Sequence, residues 1–365
     1  MRILLIGEYS NVHWTLAEGL RQLGHEVTVV SNGDFWKGYP RDIDVSRPQG
    51  RLGGLRLLAR IYSLLPRLRG YDVVQLVNPL FFELKAERLF PIYRYLRRHN
   101  KRVVLGAFGM DWYWVDTCTN KKPLRYSDFN IGNQQRTDAP AVREQHDWLG
   151  TSKEQLNKMI ASDSDAIVTG LYEYDVCYRP YFPEKTHFIP FPIKMPESSC
   201  TERCLPSAVA FFIGISRSRS QYKGTDIMLR AAQDLQERYG ERMKLTVAEG
   251  LPFSEYQRQL EGADAILDQL YSYTPSMNPL MAMSKGIICV GGGEPENYEI
   301  LNETELRPII NVQPTYESVY QELEQLILHP ERIPELKRQS VEYVRRHHDY
   351  LSVARRYEQL YLSLQ

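Results

Sequence analysis

A chain of 365 residues, 43% hydrophobic and 25% charged, is too long for one ordinary core and suits two globular domains. Its 45 Lys plus Arg balance 45 Asp plus Glu, so overall charge offers no pull toward nucleic acid and any basic site must be local. No apolar run approaches the roughly 20 residues of a membrane span, and Glu8 interrupts the N-terminal apolar run too early for a secretory signal.

Residues 2–7 predict a buried strand. Asn11 or Thr15 is a candidate cap for a helix with Leu16, Ala17, Leu20 and Leu23 on its inner stripe, and Gly24 stops it. A strand at 26–31, an arginine-rich amphipathic helix at 52–68 and a strand at 71–77 follow. A basic helix around 91–98 leads into a strand at 102–106, and 166–169 predicts another. Val/Ile/Leu strands alternating with helices indicate a parallel sheet covered on both faces. Between 111 and 163 the periodicity loosens among Trp112, Tyr113, Trp114, Tyr126 and Trp148, which reads as a functional loop region rather than scaffold. Residues 182–206, rich in proline, read as a domain linker. The rhythm then restarts, with strands at 208–213, 243–248, 265–270 and 287–290. Helices are predicted at 225–239, 254–260, 279–284, 316–328 and 334–364.

The most informative stretch is 212–226. An apolar run ends at Gly214, Arg217, Arg219 and Lys223 follow, and Gly224 and Thr225 open a helix. Three cations between a strand end and a helix start, where backbone N–H groups and the helix dipole favour anions, point to phosphate binding. Further on, Ser276 and Asn278 begin a Met/Ala-rich helix, where each either serves a ligand or caps the helix. Met281 and Met283 read as core. Gly291, Gly292 and Gly293 permit close backbone approach by a ligand. Behind them Glu296 and Glu299 either accept hydrogen bonds from a sugar or ribose diol or form a solvated helix start. Asp111, after the strand at 102–106, either acts on a hydroxyl or caps a helix at Trp112. His13 is the alternative titratable group. The G-x-G-x-x-G, P-loop and G-x-S-x-G patterns are absent. Five scattered cysteines, with Cys200 and Cys204 lacking a second pair, predict no zinc site and fit a reduced cytoplasmic protein.

Taken in order, these pieces resemble the retaining GT-B glycosyltransferases of the family four (group 1) type, best over about residues 205–365. The resemblance rests on Gly214 with Arg217/Arg219 and Lys223-Gly224-Thr225-Asp226, on Ala263-Asp264, and on Ala282-Met283-Ser284-Lys285-Gly286 before a strand and glycine loop. The Tyr357-Glu358-Gln359-Leu360-Tyr361 stretch is similar to the family's final helix. In the first half only the rhythm matches, most closely at Leu20-Arg21-Gln22-Leu23-Gly24. The resemblance implies an α/β fold of two doubly wound Rossmann-like domains facing across a cleft. The acceptor-binding domain would span 1–195 and the nucleotide-sugar-binding domain 196–340, with a C-terminal helix at 341–365 returning to the first.

It also implies a hexosyltransferase in which Lys223 and one of Arg217 and Arg219 hold the donor's diphosphate, with no metal or resident cofactor. Gly214, Ser276, Asn278, Glu296 and Glu299 would complete the donor site. Asp111 or His13 would orient or deprotonate a hydroxyl of a glycan or lipid-linked acceptor. The arginine-rich segments 51–69 and 94–102 are either solvated helix faces or peripheral contacts with an anionic membrane. The chain departs from the family where two glutamates eight apart are expected, since Tyr273 and Met281 stand there, and Phe108 replaces a histidine. Two other readings therefore stay open: a sugar-nucleotide epimerase of the same fold, and a degenerate nucleotide- or glycan-binding module.

Overall fold

Strand β1 (Arg2–Ile6) buries Ile3, Leu4, Leu5 and Ile6 completely, as a strand covered on both faces must. The computed structural model to which it belongs describes residues 1–197, 207–216 and 219–365. Next in the chain come β2 (Glu26–Ser31), β3 (Ile43–Asp44), β4 (Val73–Leu76) and β5 (Arg102–Ala107). A two-residue ladder of β6 (Asn130–Ile131) and β7 (Gln134–Gln135) precedes β8 (Ala166–Thr169) and β9 (Thr186–Phe188). Seven of these strands form one parallel sheet in the order β3-β2-β1-β4-β5-β8-β9. The later strands are β10 (Val209–Ile215), β11 (Met243–Glu249), β12 (Ala265–Leu267), β13 (Ile288–Gly291) and β14 (Ile310–Asn311). They make a second parallel sheet, β11-β10-β12-β13-β14. Both sheets are doubly wound.

Period-two alternation sorts the second core. Phe211, Ile213 and Leu267 pack with Met228 and Leu235 of the helix Thr225–Tyr239 and Val319 and Leu323 of the helix Tyr316–Leu328. Phe212 and Ile266 turn to the other face, against Leu260, Ala282 and Ile287.

The chain divides into two units. The first contains Met1–Lys121, Glu144–Pro192 and Tyr350–Gln365; the second contains Lys122–Arg143 and Ile193–Asp349. Instead of one helix over 334–364, the helix Ile333–His348 ends at Asp349, whose ψ of 124° is not helical, and the helix Tyr350–Ser363 follows in the first unit. There it lies on the helix Val12–Gln22, so closely that a Cβ on Gly19 would meet Ala354 at 2.7 Å. The stretch 111–163 is not loop alone. It holds the helices Ala139–Trp148 and Ser152–Asp163, the second capped by the Thr151 hydroxyl. Within the expected linker lies β9, while 198–206, with Cys200 and Cys204, fall outside the described residues. Among the described residues no helix is long and apolar enough to cross a membrane.

Candidate functional site

The order of the second sheet reverses between β10 and β12, and in such sheets ligands sit outside the carboxyl ends at the reversal. The segment following β10 carries the predicted cations. Arg217 lies outside the described residues, and Arg219 is an exposed side chain opening the turn Ser220–Lys223. Gly224 follows with φ +71°, where a Cβ would sit 2.8 Å from that of Leu270. Only glycine lets this turn lie against the β12 loop. The Lys223 carbonyl accepts from the Leu270 amide at 2.9 Å. Its half-buried side chain is near enough to Asp268 to act on it: burial lifts the Asp268 carboxyl above the usual range, and the Lys223 charge opposes that lift. The helix Thr225–Tyr239 starts here, so its first-turn amides, which have no acceptor within the helix, and a lysine share one edge.

Gly214 and Asn278 belong to one packing unit. A Cβ on Gly214 would meet the Tyr256 ring at 2.7 Å, and the Tyr256 hydroxyl accepts from Asn278 Nδ2 at 2.9 Å. Both hold Tyr256 in place. Ser276 occupies the N-cap position of the helix Met277–Ser284 without a side-chain cap bond. The glycine loop answers to the protein's own packing. A Cβ on Gly292 would lie 2.2 Å from the Ser272 carbonyl oxygen, and one on Gly293 2.7 Å from Ile309. Glu299 is exposed on the helix Pro295–Leu301.

The segment Lys122–Arg143, inside the stretch 111–163 expected to be a functional loop region, crosses these loops as a strap. Arg125 donates its backbone N–H to the Tyr273 hydroxyl at 2.7 Å. Its guanidinium reaches Glu294 at 2.7 Å and Glu296 at 3.0 Å and stands 4.9 Å over the Tyr273 ring. The Tyr126 hydroxyl also donates to Glu294, which accepts from Gln313 at 2.7 Å as well. Burial would raise the Glu294 pKa, but hydrogen bonds from Tyr126, Gln313 and Asn311, with the Arg125 charge, bring it below the usual range. The Arg125 hydrogen bond does the same for Glu296. Farther along, Arg136 lies 3.8 Å over the Tyr271 ring and donates to the Gln221 and Tyr222 carbonyls at 2.9 and 3.2 Å. Tyr222 in turn donates to Asp128 at 2.6 Å. The strap thus touches the loops after β10, β12 and β13.

In the first unit, Asp111 is wholly buried. It accepts from the Trp114 amide at 2.9 Å and from the Tyr178 hydroxyl at 2.6 Å, which makes it a helix cap. Burial pushes its carboxyl up to about 7 against those hydrogen bonds. His13 is wholly buried too, bonded through Nδ1 to the Gly7 carbonyl at 2.8 Å and through Nε2 to Gln75 at 3.2 Å. Burial pushes it down to about 4. Neither side chain reaches solvent. The helix Val12–Gln22 is not capped by a side chain of Asn11, whose φ is +72°. Glu8 does that work, accepting from the amides of His13 at 3.2 Å and Trp14 at 2.9 Å, and burial pushes it up to about 7. A carboxylate directly after a buried strand was the available signal for it. For Glu294 the available signal was its place directly after the glycine loop, where Glu296 and Glu299 were the acids expected; Arg136 had no local signal at all.

No family model and no curated protein matches the chain in sequence. Solved structures do match in fold. Sucrose-phosphate synthase from Thermosynechococcus elongatus aligns over 100% of this chain and 99% of its own, with TM-score 0.64 and 12% identity. HepE from Anabaena in complex with UDP-glucose aligns over 100% of both chains, with TM-score 0.59 and 12% identity. A UDP-N-acetylglucosamine 2-epimerase aligns over 97% of this chain and 93% of its own, with TM-score 0.53 and 10% identity. The fold is therefore GT-B, two Rossmann-like α/β units, and it is shared by glycosyltransferases and 2-epimerases.

Proposed function

We propose that this protein is a glycosyltransferase that binds a nucleotide-diphosphate sugar on its second unit and passes the sugar to a hydroxyl of a glycan or lipid-linked acceptor. The observation that carries this reading is the Lys223–Gly224 turn, which puts a lysine and the first amides of a long helix at the strand reversal. Lys223, with Arg219 and Arg217, would hold the pyrophosphate and stabilise the charge on the departing nucleoside diphosphate. HepE, a neighbour of the same fold, is solved with UDP-glucose, which makes uridine nucleotides the first probes.

Asp111 and His13 are both sealed, so neither suits the role of acceptor base. A leaving phosphate oxygen can take the acceptor's proton as the C1–phosphate bond breaks and the C1–acceptor bond forms on the same face. Such a reaction retains configuration. The helix Gly53–Leu64 buries Leu57 and Ile61, while Leu52, Leu55 and Tyr62 stay exposed among Arg51, Arg56 and Arg60. That face suits an anionic bilayer carrying a lipid-linked acceptor.

Calorimetric titration of UDP tests the site. Lys223→Ala is expected to weaken UDP roughly tenfold or more, because a charge-assisted contact is lost; unchanged affinity would refute the assignment. Tyr273 and Met281, standing where the related enzymes carry glutamates, favour a second reading as a binding module without turnover. Incubating UDP-glucose with and without acceptors separates the cases by product: transferred sugar, an epimerised nucleotide sugar, or no change.

A further inference from the structure

The strap has two arginine anchors of very different character. The Arg136 side chain is 7% exposed, and its guanidinium is taken up by Asp138 at 2.9 Å, the Ser127 carbonyl at 3.4 Å and the Gln221 and Tyr222 carbonyls. That anchor is dry and fixed. The Arg125 side chain is 53% exposed and holds two carboxylates, Glu296 at 20% exposure and Glu294 buried at 5%. The outer pair, with Glu296, is open enough to water to contribute little to stability and to exchange readily.

The backbone at this point does not depend on that side chain. It is pinned by the Arg125 N–H on Tyr273, by the Tyr126 ring 4.9 Å from the Tyr273 ring, and by the buried Leu124 and Phe129. The guanidinium can therefore swing away while the strap stays in place.

The carboxylates it holds follow β13, two strands from β10 and its Lys223 turn. Two strand spacings are roughly 10 Å, a reach that a pyrophosphate bearing a hexose spans. With Tyr273 and Met281 unable to act as carboxylates, and Asp268 already beside Lys223, Glu294 and Glu296 are the acids after β13 open to a sugar's hydroxyls. Glu296 is taken by Arg125, and Glu294 by Arg125 together with Tyr126 and Gln313.

We propose that Arg125 gates the sugar end of the nucleotide-sugar site: its guanidinium occupies Glu294 and Glu296 until sugar hydroxyls replace it. The gate rests on the reading of the second unit as a nucleotide-sugar site. It selects for the sugar and is indifferent to the nucleotide.

The test compares UDP and UDP-glucose by calorimetry on the wild type, Arg125→Ala and Arg125→Ala/Glu296→Gln. Removing the guanidinium should leave UDP affinity within about twofold and tighten UDP-glucose roughly fivefold, the worth of one freed hydrogen-bonding position. The second substitution should return much of that gain. Hydrogen exchange over 122–136 should be unchanged in Arg125→Ala. Equal shifts for both ligands, a weakened UDP-glucose, or faster exchange along the strap would overturn the gate and make Arg125 a structural clamp. If UDP binds in a Lys223-dependent way and only the UDP-glucose response is missing, the gate alone fails. If neither ligand binds the wild type, the nucleotide-sugar reading fails and the gate with it.

Discussion

At the carboxyl edge of the first sheet, Glu8 and Asp111 are held by backbone amides and a tyrosine hydroxyl, whereas at the edge of the second Glu294 and Glu296 are held by Arg125. Sheets of the same winding thus treat these two pairs of acids in opposite ways, while Asp268 after β12 is lifted by burial as the first pair is. Neutral donors cannot offset burial, so the first pair is pushed up to about 7. Hydrogen bonds and a cation together do offset it, so the second pair stays below the ordinary carboxylate range. A sealed, titrating edge is framework. An edge that stays charged and partly open suits an ionic ligand.

The sharpest way to break this contrast is to remove the strap's buried anchor. Arg136→Ala removes a donor from Asp138 and two turn carbonyls, of which Asp138 keeps the Ala141 amide and Gln221 the Gly224 amide, and should cost about 2 kcal/mol in urea unfolding. A loss below about 1 kcal/mol would mean that the strap is not built into the second unit.

Next in size is a pH effect confined to the first edge. Glu8 and Asp111 bind protons more tightly folded than unfolded, so what they contribute is complete below their unfolded values and lost as pH rises toward about 7. His13, lowered to about 4, contributes in the opposite sense, gaining stability as pH rises toward the ordinary histidine value of 6.5. In the shared window from 4.5 to 6.5 two groups oppose one, leaving a net loss of stability with rising pH. Glu8→Gln should remove about 1.4 kcal/mol per pH unit of that downward slope relative to wild type. Parallel stability–pH curves for the two proteins would show that Glu8 does not titrate in this range.

The smallest expected effect lies at the second edge. Asn278→Ala takes a donor from the Tyr256 hydroxyl but leaves its ring on Gly214, and should cost about 1 kcal/mol in thermal or denaturant unfolding. UDP affinity should be unaffected, and a large loss of it would instead place Asn278 on the ligand.

Elements with many periods were legible. The strand Glu26–Ser31, the strand Ala166–Thr169 and the helices Thr225–Tyr239 and Tyr316–Leu328 fall where hydrophobic spacing put them. The strands β3, β9 and β14, of two or three residues, are too short for alternation to register. The break at Asp349 was hidden because the amphipathic pattern continues across it while its buried stripe changes partner from one unit to the other. Candidate residues fared by the reach of their contacts. Lys223 and Gly224 were readable because strand, turn and helix start are contiguous. Asn278 and Gly214 drew notice for local reasons, yet their work is to hold Tyr256.

The sequence alone determined two parallel α/β units and a cationic strand-to-helix turn in the second, since both follow from local propensity and short-range spacing. Only the tertiary structure decided that residues 122–143 leave the first unit's stretch of chain to brace the second, and that Arg125 takes the acids at its edge. The physical reason is sequence distance. A guanidinium and carboxylates separated by 169 and 171 residues leave no periodic trace in the chain, and their pairing is set by where the sheets place them.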